Sequence, residues 1–346
     1  MQPRANTGIG RTRHNTAAVT SPRIWVLLGH RRGDNNQLLA LGEALGIPFE
    51  TRTIRYGRLA RLWMKLFPTG LGHLTPGSRR WLQPPWPDLV IGIGRRTVPV
   101  ARWIKRQNHG ETRIVRLGHP RAANRLFDLV ITTRQYPVPD GENVLRLPLT
   151  LNRFRTAPLP DAAEKAILER WPRPHLLLSL GGTAPMWRLD MSALGAALRI
   201  LTNRASELGG TLIAIGSQRT PLAALELVRA AAGAVLIDDG AIRYAVALAD
   251  ADEHYVTADS VSMISEAVLT GKPVGLIPVK PDARGRRRLG PDPATSRLRD
   301  LRRFWADIEQ RGLAGTVEHP KRGKFEEPMA LAVAALKQRL GGLFDE

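Results

Sequence analysis

Three short stretches concentrate side chains able to bind an anion or move a proton. The first, Gly29-His30-Arg31-Arg32-Gly33-Asp34-Asn35-Asn36-Gln37, directly follows the apolar run Ile24–Leu28. A glycine-bearing turn between a strand and a helix offers backbone N–H groups and a helix N-terminus to an anion. Its spacing matches neither the Gly-x-Gly-x-x-Gly fingerprint nor a Walker sequence. His30 stands where a general base would, with Asp34 as its rival or partner. Gly29, Arg31, Arg32, Gly33, Asn35 and Gln37 would then line the place of an acceptor substrate. The plainer account is that Asp34 or Asn35 only caps the following helix.

The second stretch, Gly181-Gly182-Thr183, follows the apolar run His175–Leu180, and Ser217-Gln218 repeats the pattern after Thr211–Ile215. Paired glycines let backbone approach a ligand, and Thr183 adds a hydroxyl; a tight turn alone would need glycine too. The third stretch is the densest: Thr257-Ala258-Asp259-Ser260-Val261-Ser262-Met263-Ile264-Ser265-Glu266. Asp259 or Ser260 is expected to cap a helix whose first-turn amides favour a phosphate. Asp259, Ser262 and Glu266 share one helix face by their i, i+3, i+7 spacing, and a carboxylate such as Glu266 can accept two ribose hydroxyls. Capping explains Asp259 and Ser260 but not so polar a second turn.

These stretches need elements to hold them. Strands are expected at Ile24–Leu28, Thr51–Ile54, Asp88–Ile91, Arg113–Leu117, Leu129–Thr132 and Asn143–Leu147, then at His175–Leu180, Thr211–Ile215, Val235–Ile237, His254–Thr257 and Val274–Ile277. Helical patterns fall between them, including Asn36–Leu45, Val98–Gln107, Met191–Glu207 and Val261–Thr270. Short apolar strands separated by helices predict parallel sheets covered on both faces. The fold class is therefore α/β, with two Rossmann-like domains facing across a cleft. The expected division is a disordered leader over 1–21, a first Rossmann-like domain over 22–155, a second over 156–327, and a C-terminal helix over 328–346 packing on either. Residues 281–293, rich in Arg, Gly and Pro, are expected as a mobile loop.

The chain has 346 residues, no Cys and a formal net charge of +20. Two domains suit that length, while disulfides, thiolate catalysis and Cys-ligated zinc are excluded. Residues 1–158 carry 26 Lys+Arg against 8 Asp+Glu, and residues 159–346 carry 25 against 23. The excess of +18 therefore sits in the first half, which must face something anionic. The segment 58–67 is amphipathic, with Arg58, Arg61 and Lys65 on one side and Leu62, Trp63 and Leu66 on another. A basic helix with aromatic residues suits an anionic bilayer surface, although its apolar face would equally pack inward. Nucleic acid is the weakest candidate, because no helix-turn-helix, zinc-finger or RNP signature occurs.

The motifs Leu28–Gln37, Leu180–Thr183 and Val256–Glu266 together resemble the bacterial and plant mitochondrial fission ELM-type (elongated mitochondria) family, over nearly the whole chain from Arg23. That resemblance implies a GT-B architecture and glycosyltransferase action on cell-surface glycolipids of the lipopolysaccharide kind. More distantly, Ser265-Glu266 with Gly271-Lys272-Pro273 resembles the lipid-linked N-acetylglucosaminyltransferases of peptidoglycan synthesis, whose Glu holds the nucleotide ribose. The expectation is a peripheral-membrane enzyme, cytoplasmic and at the inner membrane, moving a sugar from a nucleoside diphosphate donor, a UDP-sugar first. The donor would lie on Gly181, Gly182, Thr183, Ser217, Gln218, Asp259, Ser260, Ser262 and Glu266. No cofactor or metal is expected, since Asp250-Ala251-Asp252 ends a helix rather than standing free. The alternatives are a nucleotide-sugar 2-epimerase and a non-catalytic membrane-associated adaptor.

Overall fold

The computed structural model describes residues 21–57, 60, 69–153 and 159–344. The amphipathic segment with Arg58, Arg61, Leu62, Trp63, Lys65 and Leu66 lies outside the described residues, as do residues 1–20 of the expected leader over 1–21 and the side chain of Arg32. Two six-stranded parallel sheets form the frame.

The first sheet contains β1 (Ile24–Leu28), β2 (Phe49–Thr53), β3 (Leu89–Ile93), β4 (Arg113–Leu117), β5 (Leu129–Thr133) and β6 (Val144–Leu147) in the order β2-β1-β3-β4-β5-β6. Register is set by pairs such as Ile24 with Leu89 and Leu27 with Gly92. Alternation along β1 sends Ile24 and Val26 to one core and Trp25 and Leu27 to another, so helices must cover both faces. Helix α1 (Arg32–Ala44) covers the first face through Leu38 and Leu41. On the other face lie α2 (Pro76–Arg79) and α3 (Val98–Gln107), the latter inserting Val98, Ala101 and Ile104.

In the second lobe α4 (Ala162–Leu168) precedes a sheet ordered β10-β9-β7-β11-β12-β14. Its strands are β7 (His175–Leu180), β9 (Thr211–Gly216), β10 (Ala234–Ile237), β11 (Glu253–Thr257), β12 (Val274–Ile277) and β14 (Gly315–Thr316). A separate antiparallel pair, β8 (Trp187–Leu189) with β13 (Val279–Pro281), lies beside it. The intervening helices are α5 (Met191–Glu207), α6 (Leu222–Arg229), α7 (Tyr244–Asp250) and α8 (Val261–Leu269).

The expected loop over 281–293 is corrected. It holds a short helix, α9 (Ala283–Arg288), whose start is fixed by Asp282 accepting the Gly285 N–H at 2.6 Å. Helix α10 (Leu301–Gln310), started by Asp300, follows the arginine-rich stretch that obscured it. The last helix, α11 (Pro328–Arg339), buries Ala332 and Leu336 against Leu38 and Leu41, so it rests on the first lobe.

The lobes touch where the first sheet's strands end. The Thr150 N–H, just past β6, donates to Ser265 Oγ at 3.0 Å. Beyond β5, the Gln135 carbonyl accepts the Asp300 N–H at 2.9 Å, and Arg134 pairs with Asp307 at 3.5 Å. Helix α10 is itself tied to the start of α8, because Trp305 Nε1–H donates to the Ala258 carbonyl at 2.9 Å.

Candidate active site

Parallel sheets bind ligands outside the carboxyl ends of their strands, where the strand order reverses. In the first sheet this point lies between β1 and β3, and in the second between β7 and β11. The Gly29–Gln37, Gly181–Thr183 and Thr257–Glu266 stretches all open from strands that flank these two points.

In the second lobe, the glycine turn and the start of α8 are welded together. The Gly181 N–H donates to Thr257 Oγ1 at 2.7 Å, and the Gly182 N–H to Asp259 Oδ2 at 2.9 Å. A methyl on Gly181 would collide with the Asp259 carboxylate, and one on Gly182 with the Arg219 carbonyl. The expectation that these two amides face a ligand is therefore corrected: close packing between loops accounts for both glycines. Asp259 is corrected too. It is 1 % exposed and serves as a strut for the turn, not as the helix cap. Burial raises its pKa, opposed by the Gly182 N–H, Thr257 and Arg219.

Ser260 occupies the N-cap position but makes no side-chain cap. The helix tip is thus left uncapped by the chain's own hydroxyl. Two turns in, Glu266 is largely buried, with Ser262 Oγ donating to Oε1 at a long 3.4 Å. Burial pushes its pKa up to about 7, and Ser262 only partly opposes that. The hydroxyls of Ser179 and Tyr244 are buried beside each other. Burial, and secondarily the charge of Glu266, raises the Tyr244 pKa. Ser217 Oγ donates to the Gly181 carbonyl at 3.2 Å, bracing the same turn. Thr183 and Gln218 are exposed beside it.

In the first lobe neither Asp34 nor Asn35 caps α1. Instead the Asn35 amide closes the turn on itself, accepting the Gly29 N–H at 2.8 Å and donating to the Gly29 carbonyl at 2.9 Å. His30, Arg31 and Gly33 are exposed, Gly29 and Gln37 half-buried. Asp34 is half-buried, and its pKa is raised by burial against the opposing charges of Arg31, His30, Arg299 and Arg116. The carboxyl of Asp34 therefore sits in a field of cations drawn from both lobes.

Sequence reasoning missed the deepest of these. Arg116, on β4, is 1 % exposed; its Nη1 donates to Thr97 Oγ1 at 2.6 Å and its Nη2 to the Gly94 carbonyl. Gly92 lets the guanidinium cross the end of β3, since a Cβ there would stand 3.3 Å from Arg116 Nη1. Burial lowers the Arg116 pKa to about 10, with Tyr56 and Asp34 opposing. Tyr56 is stacked on His73 at 5.9 Å and lies under Arg96 at 4.9 Å. Burial drives its pKa to about 12 despite those arginines. His119, just after β4, is held neutral by burial, to about 4, reinforced by Arg121 and Arg116. The signal available in the sequence was an arginine inside the apolar strand Arg113–Leu117, and the Gly92-Ile93-Gly94-Arg95-Arg96-Thr97 turn after β3.

Among the described residues, no group of three or more His, Asp or Glu side chains is placed to hold a metal ion. Asp250 ends α7, and with Asp252 it binds Arg173 and His175 at the opposite, amino-terminal end of the second sheet.

Residues 32–319 match the family described as Mitochondrial fission ELM1. Mitochondrial fission protein ELM1 of Arabidopsis thaliana is 29% identical over 232 residues, 58% of this chain and 53% of that protein. The chain thus spans about half the length of that curated relative. Among solved structures, a Listeria monocytogenes protein assigned as a UDP-N-acetylglucosamine 2-epimerase has a TM-score of 0.56 at 12% identity, covering 93% of this chain and 98% of that one. The Neisseria meningitidis UDP-GlcNAc 2-epimerase bound to UDP-GlcNAc has a TM-score of 0.50 at 11% identity, covering 94% and 100%. At these identities the likeness is one of fold.

Proposed function

The chain belongs to the mitochondrial fission ELM1 family and has the two-lobed GT-B fold, and from that premise we propose that it is a glycosyltransferase using a nucleoside diphosphate sugar. The observation that carries this is Glu266, a largely buried carboxyl held only by a long bond from Ser262, behind an uncapped helix start at the second lobe's switch point. The donor pyrophosphate would meet the first-turn amides of α8, at Ser260 and Ser262, and the ribose hydroxyls would donate to Glu266. Thr183, Ser217 and Gln218 border the same turn.

Across the cleft, Asp34 removes the proton from an acceptor hydroxyl. It is favoured over exposed His30 because it is more enclosed and lies among the cations of both lobes. The acceptor oxygen bonds to the anomeric carbon as the sugar–phosphate bond breaks. The departing nucleoside diphosphate takes the electron pair, and its charge is met by the α8 dipole without a metal ion. The acceptor is membrane-linked in this proposal. Support comes from the basic first half and from Trp81, 58% exposed with the Arg80 guanidinium 5.3 Å from its ring centre. Among the described residues no helix is long and apolar enough to cross a membrane, so attachment would be to its surface.

Calorimetric titration with UDP, GDP and CMP tests the donor site. Binding by one of them is expected, and its absence for all three at millimolar concentration contradicts the proposal. A second possibility, a nucleotide-sugar 2-epimerase, is favoured by the names of the two solved structures. Incubating UDP-GlcNAc without acceptor separates the two, since only an epimerase inverts its C2 centre there.

A further inference from the structure

Three arginines lie beside Tyr56, Asp34 and Tyr136 on the first-lobe side of the cleft, with no carboxylate of the chain within ion-pair distance among the described residues. They are Arg96 and Arg116 from the first lobe and Arg299 from the second. Their setting differs from that of arginines elsewhere. Arg204 is paired with Glu253, Arg243 with Glu164, Arg173 with Asp250 and Arg302 with Asp300. Those four arginines are 28–51% exposed and still paired, whereas Arg116 is buried without a carboxylate, a costly arrangement that calls for a reason.

Their positions give that reason. Arg116 is 1 % exposed, with Nε unpartnered and its other nitrogens on Thr97 and the Gly94 carbonyl. Arg299 comes over from the second lobe, its guanidinium 5.8 Å from the Tyr136 ring centre and its own Nε also buried without a partner. The neighbouring Asp300 N–H is bonded to the Gln135 carbonyl, which fixes the strap that carries Arg299. Arg96 lies over Tyr56. Asp34 is a carboxyl close enough to feel both Arg116 and Arg299, and a single carboxylate does not balance three guanidinium groups.

We propose that these arginines bind a phosphate group of the acceptor, next to the hydroxyl that Asp34 deprotonates, and that the acceptor is therefore a phosphorylated one. The assignment rests on the first lobe being the acceptor side, and it deepens that claim by naming what the acceptor carries. A phosphate dianion matches the charge of the three arginines better than a lone hydroxyl or a single carboxylate does. Arg299 makes the group a joint product of both lobes, so a bound phosphate would also draw the two lobes together.

The test is calorimetric titration of the full chain with inorganic pyrophosphate, with and without saturating UDP, and with citrate in a parallel arm. Pyrophosphate is expected to bind with UDP present. Arg299→Ala and Arg96→Ala should each weaken it about tenfold. The double substitution Arg286→Ala with Arg287→Ala removes twice the charge of either from the exposed side of α9 and should change affinity less than twofold. Arg116→Gln, checked for folding by its melting curve, should weaken binding as Arg299→Ala does. Loss of binding under UDP, insensitivity to Arg299→Ala, or an equal effect of the α9 pair would overturn the proposal. Citrate binding as tightly as pyrophosphate would overturn the phosphate assignment. If UDP itself fails to bind, the donor site is refuted, and the arginine variants still decide the phosphate assignment.

Discussion

The two sides of the cleft bury opposite charges. The second lobe encloses carboxyls, Asp259 and Glu266, behind a helix start, while the first encloses the guanidinium of Arg116 near the single carboxyl of Asp34. Both lobes are parallel sheets whose strand order reverses once, so fold alone does not produce this difference. Side chains do. A buried carboxyl that accepts hydroxyls and free amides that meet a pyrophosphate suit a nucleotide. Guanidinium groups around one carboxyl suit deprotonation of a hydroxyl beside an anion. One scaffold, used twice, thus encloses carboxyls in one lobe and a guanidinium in the other.

The comparison is broken most sharply by removing the proposed base. Asp34→Asn should lower sugar transfer about 100-fold or more with UDP affinity unchanged, measured by transfer assay and calorimetry on the same preparation. A parallel fall in UDP affinity would mean that the two sides are not separate. Glu266→Ala should do the reverse, weakening UDP-GlcNAc binding at least about tenfold through loss of two charge-assisted hydrogen bonds.

The pH dependence sharpens the point. In the proposed complex ribose hydroxyls would donate to ionised Glu266, whose pKa is about 7, so UDP-GlcNAc affinity should rise from pH 6 to pH 8 and proton release should accompany binding. Glu266→Gln should flatten that rise. The linked effect on stability has the opposite sense. A carboxyl whose folded pKa is raised binds a proton more tightly when folded, so stability should fall as pH climbs from about 4.5 to about 7. Melting curves of the wild type and Glu266→Gln should converge at the lower pH.

Gly182→Ala tests the weld behind the second-lobe site. The added methyl meets the Arg219 carbonyl, and overpacking of this kind costs about 1–3 kcal/mol, read as a lower melting temperature. The smallest effect is expected at the membrane. Trp81→Ala should weaken sedimentation with anionic vesicles a few-fold, by loss of one interfacial aromatic beside Arg80.

The parallel sheets were legible because β1, β3, β7 and β11 are short apolar runs, each followed by a glycine or a polar turn. Chemistry at the ends of β1, β7 and β11 was legible for the same reason, since polar residues crowd where buried strands stop. The job of each polar residue was not. Asp259 looked like a cap and turned out to brace Gly182, because the partner lies 77 residues away in sequence. Arg116 was hidden inside a strand, where one charged residue among apolar ones reads as an edge feature until Gly92 and Thr97 are seen across from it. Helix α10 was masked by the arginines at its start and before it, which hid the apolar spacing of Leu301, Phe304 and Ile308.

A crystal structure of the full chain soaked with UDP tests the central claim most directly. The account predicts pyrophosphate density against the first turn of α8 with the ribose hydroxyls on Glu266, and the first-lobe arginines free of nucleotide. UDP lodged instead among Arg96, Arg116 and Arg299, with Glu266 untouched, would contradict it.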